Sequence, residues 1–445
     1  MRGVGIILIL FISFSCDTEN SFPVPEENYF VKFYGEEGDQ EGVDFIVNTD
    51  GSVVMVGNTE RSGVKKQIYV VKVDANGQVL WQLRMGLPDK DDFAKDVELH
   101  PDGRIVIAGE TDMGPGNRDV YVKTITQEGF PLDSARAGLK LNTGSDSDED
   151  VKSISFIEPA DGYPAGFIVS GSTTSPNGNR DGLHIRFTDS PILRFGDPWK
   201  EITGNGNTED VIVKIFQIVG YAPIGDQDRY YSFGYTNANG GNNSNDFRYW
   251  IVPLGKDGEP SNNGTELLDV VGSQLEDDIL TSVIESPLQS GSGFILSGIA
   301  TLTTGESRSF IVKLAKPLSI NSPNLDILTQ TYPTNLGIDV GGLLTVQSLV
   351  NEQFLMLSND NQLPSQDSKL QSSNLALTKL KRDLTKEWSV PLIFGGEGDD
   401  FAGSVAELPD GRILISGTMT IGGGNDRGQK KMVLIKLNPE GKLTE

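Results

Sequence analysis

The chain has 445 residues, with 37 basic and 62 acidic side chains and a formal net charge of −25. Its 52 Gly against 22 Pro point to many turns, and they exclude a low-complexity or collagen-like chain. A surface this acidic repels phosphate backbones, which excludes nucleic acid as a partner.

Residues 1–16 read MRGVGIILILFISFSC. Arg2 precedes an apolar run from Val4 to Phe14, too short to span a bilayer but matched to a signal-peptide core. Cys16 is the one cysteine of the chain, so no intramolecular disulfide can form. A small Ser15 before a Cys at the end of an apolar run resembles a bacterial lipoprotein signal, with Ser13 where Leu is usual. The resemblance implies a signal over residues 1–15 and acylation of Cys16, which would anchor the chain in a membrane. Residues 16–28 then form an acidic tether. Asp17 and Glu19 just after the Cys resemble the surface-export signal of Bacteroidetes lipoproteins. That resemblance implies an outer-membrane address facing outward, with the periplasmic face as the alternative.

From residue 29 onward the chain repeats itself. Residues 90–111 read KDDFAKDVELHPDGRIVIAGET, and 398–418 read GDDFAGSVAELPDGRILISGT. A third copy at 38–59 has the same distance from its first residue to the Gly of Asp-Gly. A Gly closing a β-rich run recurs at Gly57, Gly109, Gly171, Gly234, Gly298 and Gly417, with Ser358 in that place once. These seven positions lie about 60 residues apart on average.

Each copy holds four short β-type runs divided by turn residues. In the first copy they are Val43–Val47, Val53–Val56, Ile68–Val73 and Val79–Leu83, with turns at Asp50-Gly51 and Asp74–Gly77. Asp-Gly and Asn-Gly suit positions of positive φ, which ties each copy to its hairpins. The fourth run often carries a Trp, at Trp81, Trp199 and Trp388, read here as packing between units.

Seven units of four antiparallel strands predict an all-β, seven-bladed β-propeller over 29–445. The blades fall at about 36–86, 87–143, 144–204, 205–272, 273–337, 338–395 and 396–445. The last copy lacks a fourth run, while Tyr29–Gly35 is an orphan strand before the first. Pairing that N-terminal strand into the last blade would complete it and close the ring, removing exposed edges. The Pro-Asp-Gly turn followed by a hydrophobic run and Gly resembles the roughly sixty-residue propeller repeats of secreted and surface proteins of Bacteroidetes. The resemblance implies fold and location, and no reaction.

The chemistry-bearing residues are few. His100 and His184 fall in different blades and no Cys accompanies them, which does not make a zinc site of usual composition. Gly-x-Ser-x-Gly and the nucleotide-binding glycine motifs do not occur. Asp74–Trp81 resembles a quinoprotein repeat, but the pattern is patchy and no quinone cofactor is expected. Acids do recur where first strands begin: Asp39, Asp91, Asp210, Asp277, Asp339 and Asp399. They gather around one channel mouth if first strands line the channel; otherwise each accepts backbone N–H bonds in its own turn. Asp146, Asp148 and Asp150 begin like a calcium loop, but Val151 and Ile157 stand where Gly and Glu are needed. A solvated acidic loop is the reading there, with calcium as the alternative and no other cofactor. Asp133-Ser134-Ala135 resembles the short O-glycosylation motif of Bacteroidetes, which implies modification at Ser134.

These features predict a surface-anchored, non-enzymatic binding or scaffold lipoprotein. It would hold a protein or glycan on its loop faces, within an outer-membrane complex. The rival is a carbohydrate-active hydrolase or lyase using carboxylates at the channel mouth. An enzyme predicts a pocket with converging, perturbed carboxylates; a scaffold predicts exposed apolar surface.

Overall fold

The computed structural model describes residues 28–115, 117–132, 147–159, 164–174, 178–189, 200–204, 207–217, 228–237, 247–260, 265–266, 275–286, 293–302, 307–314, 327–331, 339–348, 353–361, 373–395, 398–422 and 428–444. All regular structure among them is β. No helix of the described residues is long and apolar enough to cross a membrane.

The first strand, β1 (Phe30–Tyr34), does not join the sheet formed by the strands next in the chain. A first sheet joins β2 (Asp39–Val47), β3 (Val53–Glu60), β4 (Gln67–Val73) and β5 (Val79–Met85) in that order. A second joins β6 (Asp92–Leu99), β7 (Ile105–Gly114) and β8 (Asn117–Ile125). A third holds β9 (Glu149–Ile157), β10 (Gly166–Thr174), β11 (Arg180–Thr188) and β12 (Lys200–Thr203). The fourth is β13 (Asp210–Gln217), β14 (Asp228–Thr236), β15 (Arg248–Gly255) and β16 (Thr265–Glu266). The fifth is β17 (Leu275–Ser286), β18 (Gly293–Leu302), β19 (Ser307–Leu314) and β20 (Ile327–Thr331). The sixth is β21 (Asp339–Ser348), β22 (Phe354–Asn361), β23 (Ser373–Leu380) and β24 (Leu392–Phe394). The last sheet has β25 (Phe401–Glu407), β26 (Ile413–Ile421) and β27 (Gln429–Leu437), with β1 as its outer strand.

Every strand pair within these sheets is antiparallel, as hairpin turns allow. First strands begin earlier than the apolar runs alone predict: β2 starts at Asp39, because its polar first turn still pairs with Thr59 and Glu60. The second sheet shows three strands among the described residues, with an isolated bridge from Ile125 to Pro131 where a fourth would start.

The apolar residues form clusters that lie between sheets. Val54, Val70 and Met85 of the first sheet pack on Val97, Ile107 and Tyr121 of the second. Further clusters join the second sheet to the third, the third to the fourth, and so on to the last. Another joins the last sheet back to the first, through Phe30, Tyr34, Met432 and Leu434 against Phe45, Met55 and Tyr69. Middle strands are therefore covered on both faces, and Val53–Thr59 of β3 is buried without a break. This is why these segments read as continuous apolar runs rather than strict alternation. Outer strands are half open: β5 leaves Val79 and Leu80 in solvent.

Candidate functional site

The first strand of every sheet carries an irregularity at one matching place. Val43, Lys95, Lys152, Val213 and Thr281 are extra residues bulged out of β2, β6, β9, β13 and β17. In β25 the bulge falls at Gly403-Ser404, and β21 has a wider irregularity between Val340 and Leu344. A bulge bends the strand and re-aims its side chains, and bulges concentrate next to sites. Here the bulged residues and their neighbours line one cavity of about 250 Å³. Six first strands contribute to it, so it sits where the sheets converge.

The bulge also explains the recurring glycine. It presses the first strand's backbone onto the second strand. A Cβ at Gly57, Gly109, Gly171, Gly234, Gly298 or Gly417 would collide with the carbonyl oxygen of Glu41, Phe93, Asp150, Val211, Ile279 or Phe401 respectively. Ser358 takes that place opposite the wider β21 irregularity.

Two carboxyls meet in the cavity wall. Asp44 hydrogen-bonds to Asp96 and to Ser404. Burial first, and then the charge of Asp96, push the Asp44 carboxyl well above the usual range. Both effects favour the neutral form of Asp44. Asp96 accepts two backbone amides: Val97 N–H donates to Oδ1 at 2.9 Å and Ile154 N–H to Oδ2 at 2.8 Å. Nearby Glu98 is pushed to about 7, mainly by burial, with Lys214 opposing and Asp96 adding.

Lysines occupy the same wall. Lys95 Nζ reaches Glu110 at 3.0 Å and Asp150 at 3.4 Å. Lys152 Nζ lies 2.8 Å from Asp150. Burial works to raise the Asp150 carboxyl, but Lys152 and Lys95 hold it down at about 2. Lys214 lines the cavity from the fourth sheet, its Nζ 6.0 Å from the Phe216 ring centroid.

The acids at the strand starts lie elsewhere, in the seams between sheets. Asp39 accepts the Lys430 N–H at 3.0 Å, Asp91 that of Lys66 at 2.7 Å, Asp277 that of Phe247 at 3.3 Å, and Asp399 that of Ser373 at 3.4 Å. Asp148 does the same for Arg118 at 3.0 Å. Each donor lies at the start of the third strand of the preceding sheet. The bond is often returned: the N–H groups of Asp92, Asp278 and Asp400 donate to the carbonyls of Lys66, Phe247 and Ser373 at 2.8, 2.8 and 2.7 Å. Asp210 instead accepts the hydroxyls of Thr208, at 2.8 Å, and Thr236. Asp339 begins β21, and its side chain lies outside the described residues, as do Cys16, Ser134 and Asp146. Among the described residues no three His, Cys, Asp or Glu side chains are grouped to hold a metal ion.

The histidines are apart. His184 in β11 is fully buried between Ser170 and Ser232, and burial lowers it to about 3. His100 lies in the turn between β6 and β7, 3.1 Å from Asp189, with its ring edge-on to Phe156. Trp81 caps the neighbouring sheet, its Nε1 donating to the Gln127 carbonyl at 2.9 Å.

The cavity residues Asp44, Asp96, Lys152 and Lys214 are not among those the sequence motifs single out. One signal was available: Asp44 and Asp96 each stand seven residues before the Gly of Asp-Gly in their copies, at Gly51 and Gly103.

No family model matches the chain, and neither does any curated protein. Among solved structures it is similar to Drosophila semaphorin 2a, with 11% identity over 92% of this chain and 75% of that one, at a TM-score of 0.52. The fold is of the β-propeller type. An ulvan lyase matches over 93% of this chain and 98% of its own, at 12% identity and a TM-score of 0.47. A protein of unknown function from Dyadobacter fermentans matches over the same shares at 10% identity and 0.44. At such identities the likeness concerns the fold alone.

Proposed function

We propose that the chain is a seven-bladed β-propeller, lipid-anchored at Cys16 to the outer membrane and facing outward, that binds a partner and does not turn it over. The succession of apolar clusters from sheet to sheet, returning to the first through Phe30 and Tyr34, supports the closed ring. The signal-like residues 1–16 and the acids after Cys16 support the address.

The observation that carries the binding reading is exposed apolar surface on the perimeter. Phe130 is 67% exposed, Val390 65% and Leu80 55%, and Val79, Phe33 and Ile393 are also open. They lie on outer strands, or beside them, in the sixth, last, first and second sheets, which follow one another in the succession. Large apolar groups left open on neighbouring units fit a protein partner. The carboxylates argue against the glycosidase alternative. Those at the strand starts hold backbone amides between sheets. Asp44 and Asp96 share a hydrogen bond, whereas an acid and its nucleophile or base stand about 5–9.5 Å apart around a glycosidic bond.

The test is affinity purification of the tagged full-length protein from native membranes in mild detergent, followed by mass spectrometry. One partner recovered in near-equal amount is expected, and Leu80→Glu with Phe130→Glu should abolish its recovery. No stoichiometric partner, or recovery indifferent to those changes, would overturn the reading.

A further inference from the structure

The central cavity holds positive charge that the fold leaves partly unanswered. The chain carries net −25, yet Lys95, Lys152 and Lys214 come from three successive first strands to line this one space. Lys95 is held by two carboxylates. Lys152 has Asp150 and keeps further donors. Lys214 makes no ion pair among the described residues, though its charge acts on the half-buried Glu98. The acids in the same wall are engaged elsewhere: Asp96 accepts two backbone amides, and burial raises the Asp44 carboxyl. These ammonium groups are partly shielded from solvent, and an anion in the cavity would accept charge-assisted hydrogen bonds from their remaining N–H groups.

The rest of the wall says what else the anion carries. Ser282 brings a hydroxyl and Thr281 a hydroxyl oxygen that can accept, its proton going to the Ser297 carbonyl at 3.2 Å, while Val43, Val213 and Val283 bring apolar surface. About 250 Å³ is below the roughly 300 Å³ at which sites for drug-sized ligands begin, so the occupant is of monosaccharide size.

We propose that this cavity binds a small hydroxylated carboxylate of sugar-acid size, its carboxylate between Lys152 and Lys214 and its hydroxyls toward Thr281 and Ser282. The site is independent of the partner-binding perimeter, and either can fail without the other.

The test is calorimetric titration of the full-length protein in detergent at neutral pH and low salt. The probes are D-galacturonate, the uncharged D-galactose of the same size, and inorganic phosphate. Galacturonate should saturate one site and raise the melting temperature of the wild-type protein, because it binds the folded state alone. Galactose and phosphate should give no saturable heat. Lys214→Met should weaken galacturonate about tenfold or more, the loss expected for a charged hydrogen bond. Lys214→Arg should restore most of the affinity, and Lys90→Met, outside the cavity, should change nothing. Absence of galacturonate binding to the wild type would overturn the proposal without any variant having to fold. So would equal binding of galactose or phosphate, or unchanged affinity in Lys214→Met.

Discussion

Gly109 shows how one residue type records a contact made by another strand. Its missing side chain leaves room for the Phe93 carbonyl, which the bulge at Lys95 pushes toward β7. Gly109→Ala should therefore cost about 3 kcal/mol or more, in the range of the larger single-site losses. Gly63→Ala meets nothing within 4 Å and carries only the strain of its φ of 74°, about 1–2 kcal/mol. Urea unfolding of the two variants measures the difference, and equal losses would remove the bulge from the explanation. The recurrence of this glycine is plain in the sequence, but its cause is not. A bulge is one extra residue in a strand, and nothing in the residue types at Val43, Lys95 or Thr281 announces it. Glu98 makes a second prediction at this scale. Its carboxyl is raised from an ordinary 4.5 to about 7, so the folded state binds a proton that the unfolded state has released between those values. The stability this group contributes is therefore fully present below about pH 4.5 and is lost as pH rises through 7. Glu98→Gln should flatten that fall and stabilise the protein at pH 8 by up to about 3 kcal/mol, a tenfold change in acidity being worth about 1.4 kcal/mol. Parallel stability curves for variant and wild type across this range would sink the claim.

Between elements, the same few contacts recur, and the N-terminal strand joins in them. Side chains at the end of one sheet grip the turn between third and fourth strands of the next. Trp81 covers Gly129 in this way, and Trp388 covers Gly441. Lys72 Nζ donates to the Gln127 carbonyl at 3.1 Å, and Lys313 Nζ to that of Arg382 at 3.3 Å. In the last sheet the grip is made by β1, with β27 beside it. Phe30 lies over Gly77, Lys32 Nζ reaches the Asn76 carbonyl at 2.7 Å, Tyr34 Oη that of Gly77 at 2.9 Å, and Lys436 Nζ that of Ala75 at 2.6 Å. The orphan strand was legible because an apolar run ending in Gly stood outside the repeat. The lysine contacts were not, since a Lys inside a third-strand run reads as a solvated edge until the next sheet is placed against it. Removing residues 29–35 should uncover the edge of β27 and the turn at Asp74–Gly77 together. Limited proteolysis should then begin in the last sheet, at Gln429–Leu437, while the second and third sheets stay protected. Tyr34→Phe is the milder form and should cost about 1 kcal/mol, for one buried hydrogen bond to a carbonyl. Unchanged protease resistance after the deletion would mean that β1 pairs with β27 without contributing to the sheet's stability.

At the scale of the whole molecule, repetition is what made the architecture readable and the site unreadable. Seams are built alike in unit after unit, so Asp91, Asp277 and Asp399 recur in register and draw attention. The cavity is built from differences at matching positions: Asp in β2 and β6, Ser in β9, Lys in β13, Ser in β17. A site that depends on units departing from one another leaves no repeated signal. The address depends on neither kind of residue. Phe30 of β1 comes fourteen positions after Cys16, so even a fully extended connection reaches about 50 Å. An acylated Cys16 would therefore hold the last and first sheets near the bilayer, with the apolar perimeter of Phe33, Leu80 and Phe130 within reach of a membrane-bound partner. The prediction is that the purified wild-type protein begins at Cys16 and carries acyl chains, seen as added mass on the N-terminal fragment. Cells fed an alkyne fatty acid should label the wild type and leave Cys16→Ala unlabelled and unprocessed. Protease added to intact cells should cleave the wild-type protein if it faces outward and spare it if it faces the periplasm. An unacylated mature chain starting elsewhere would reduce residues 1–16 to a plain secretory signal and detach the perimeter from the membrane.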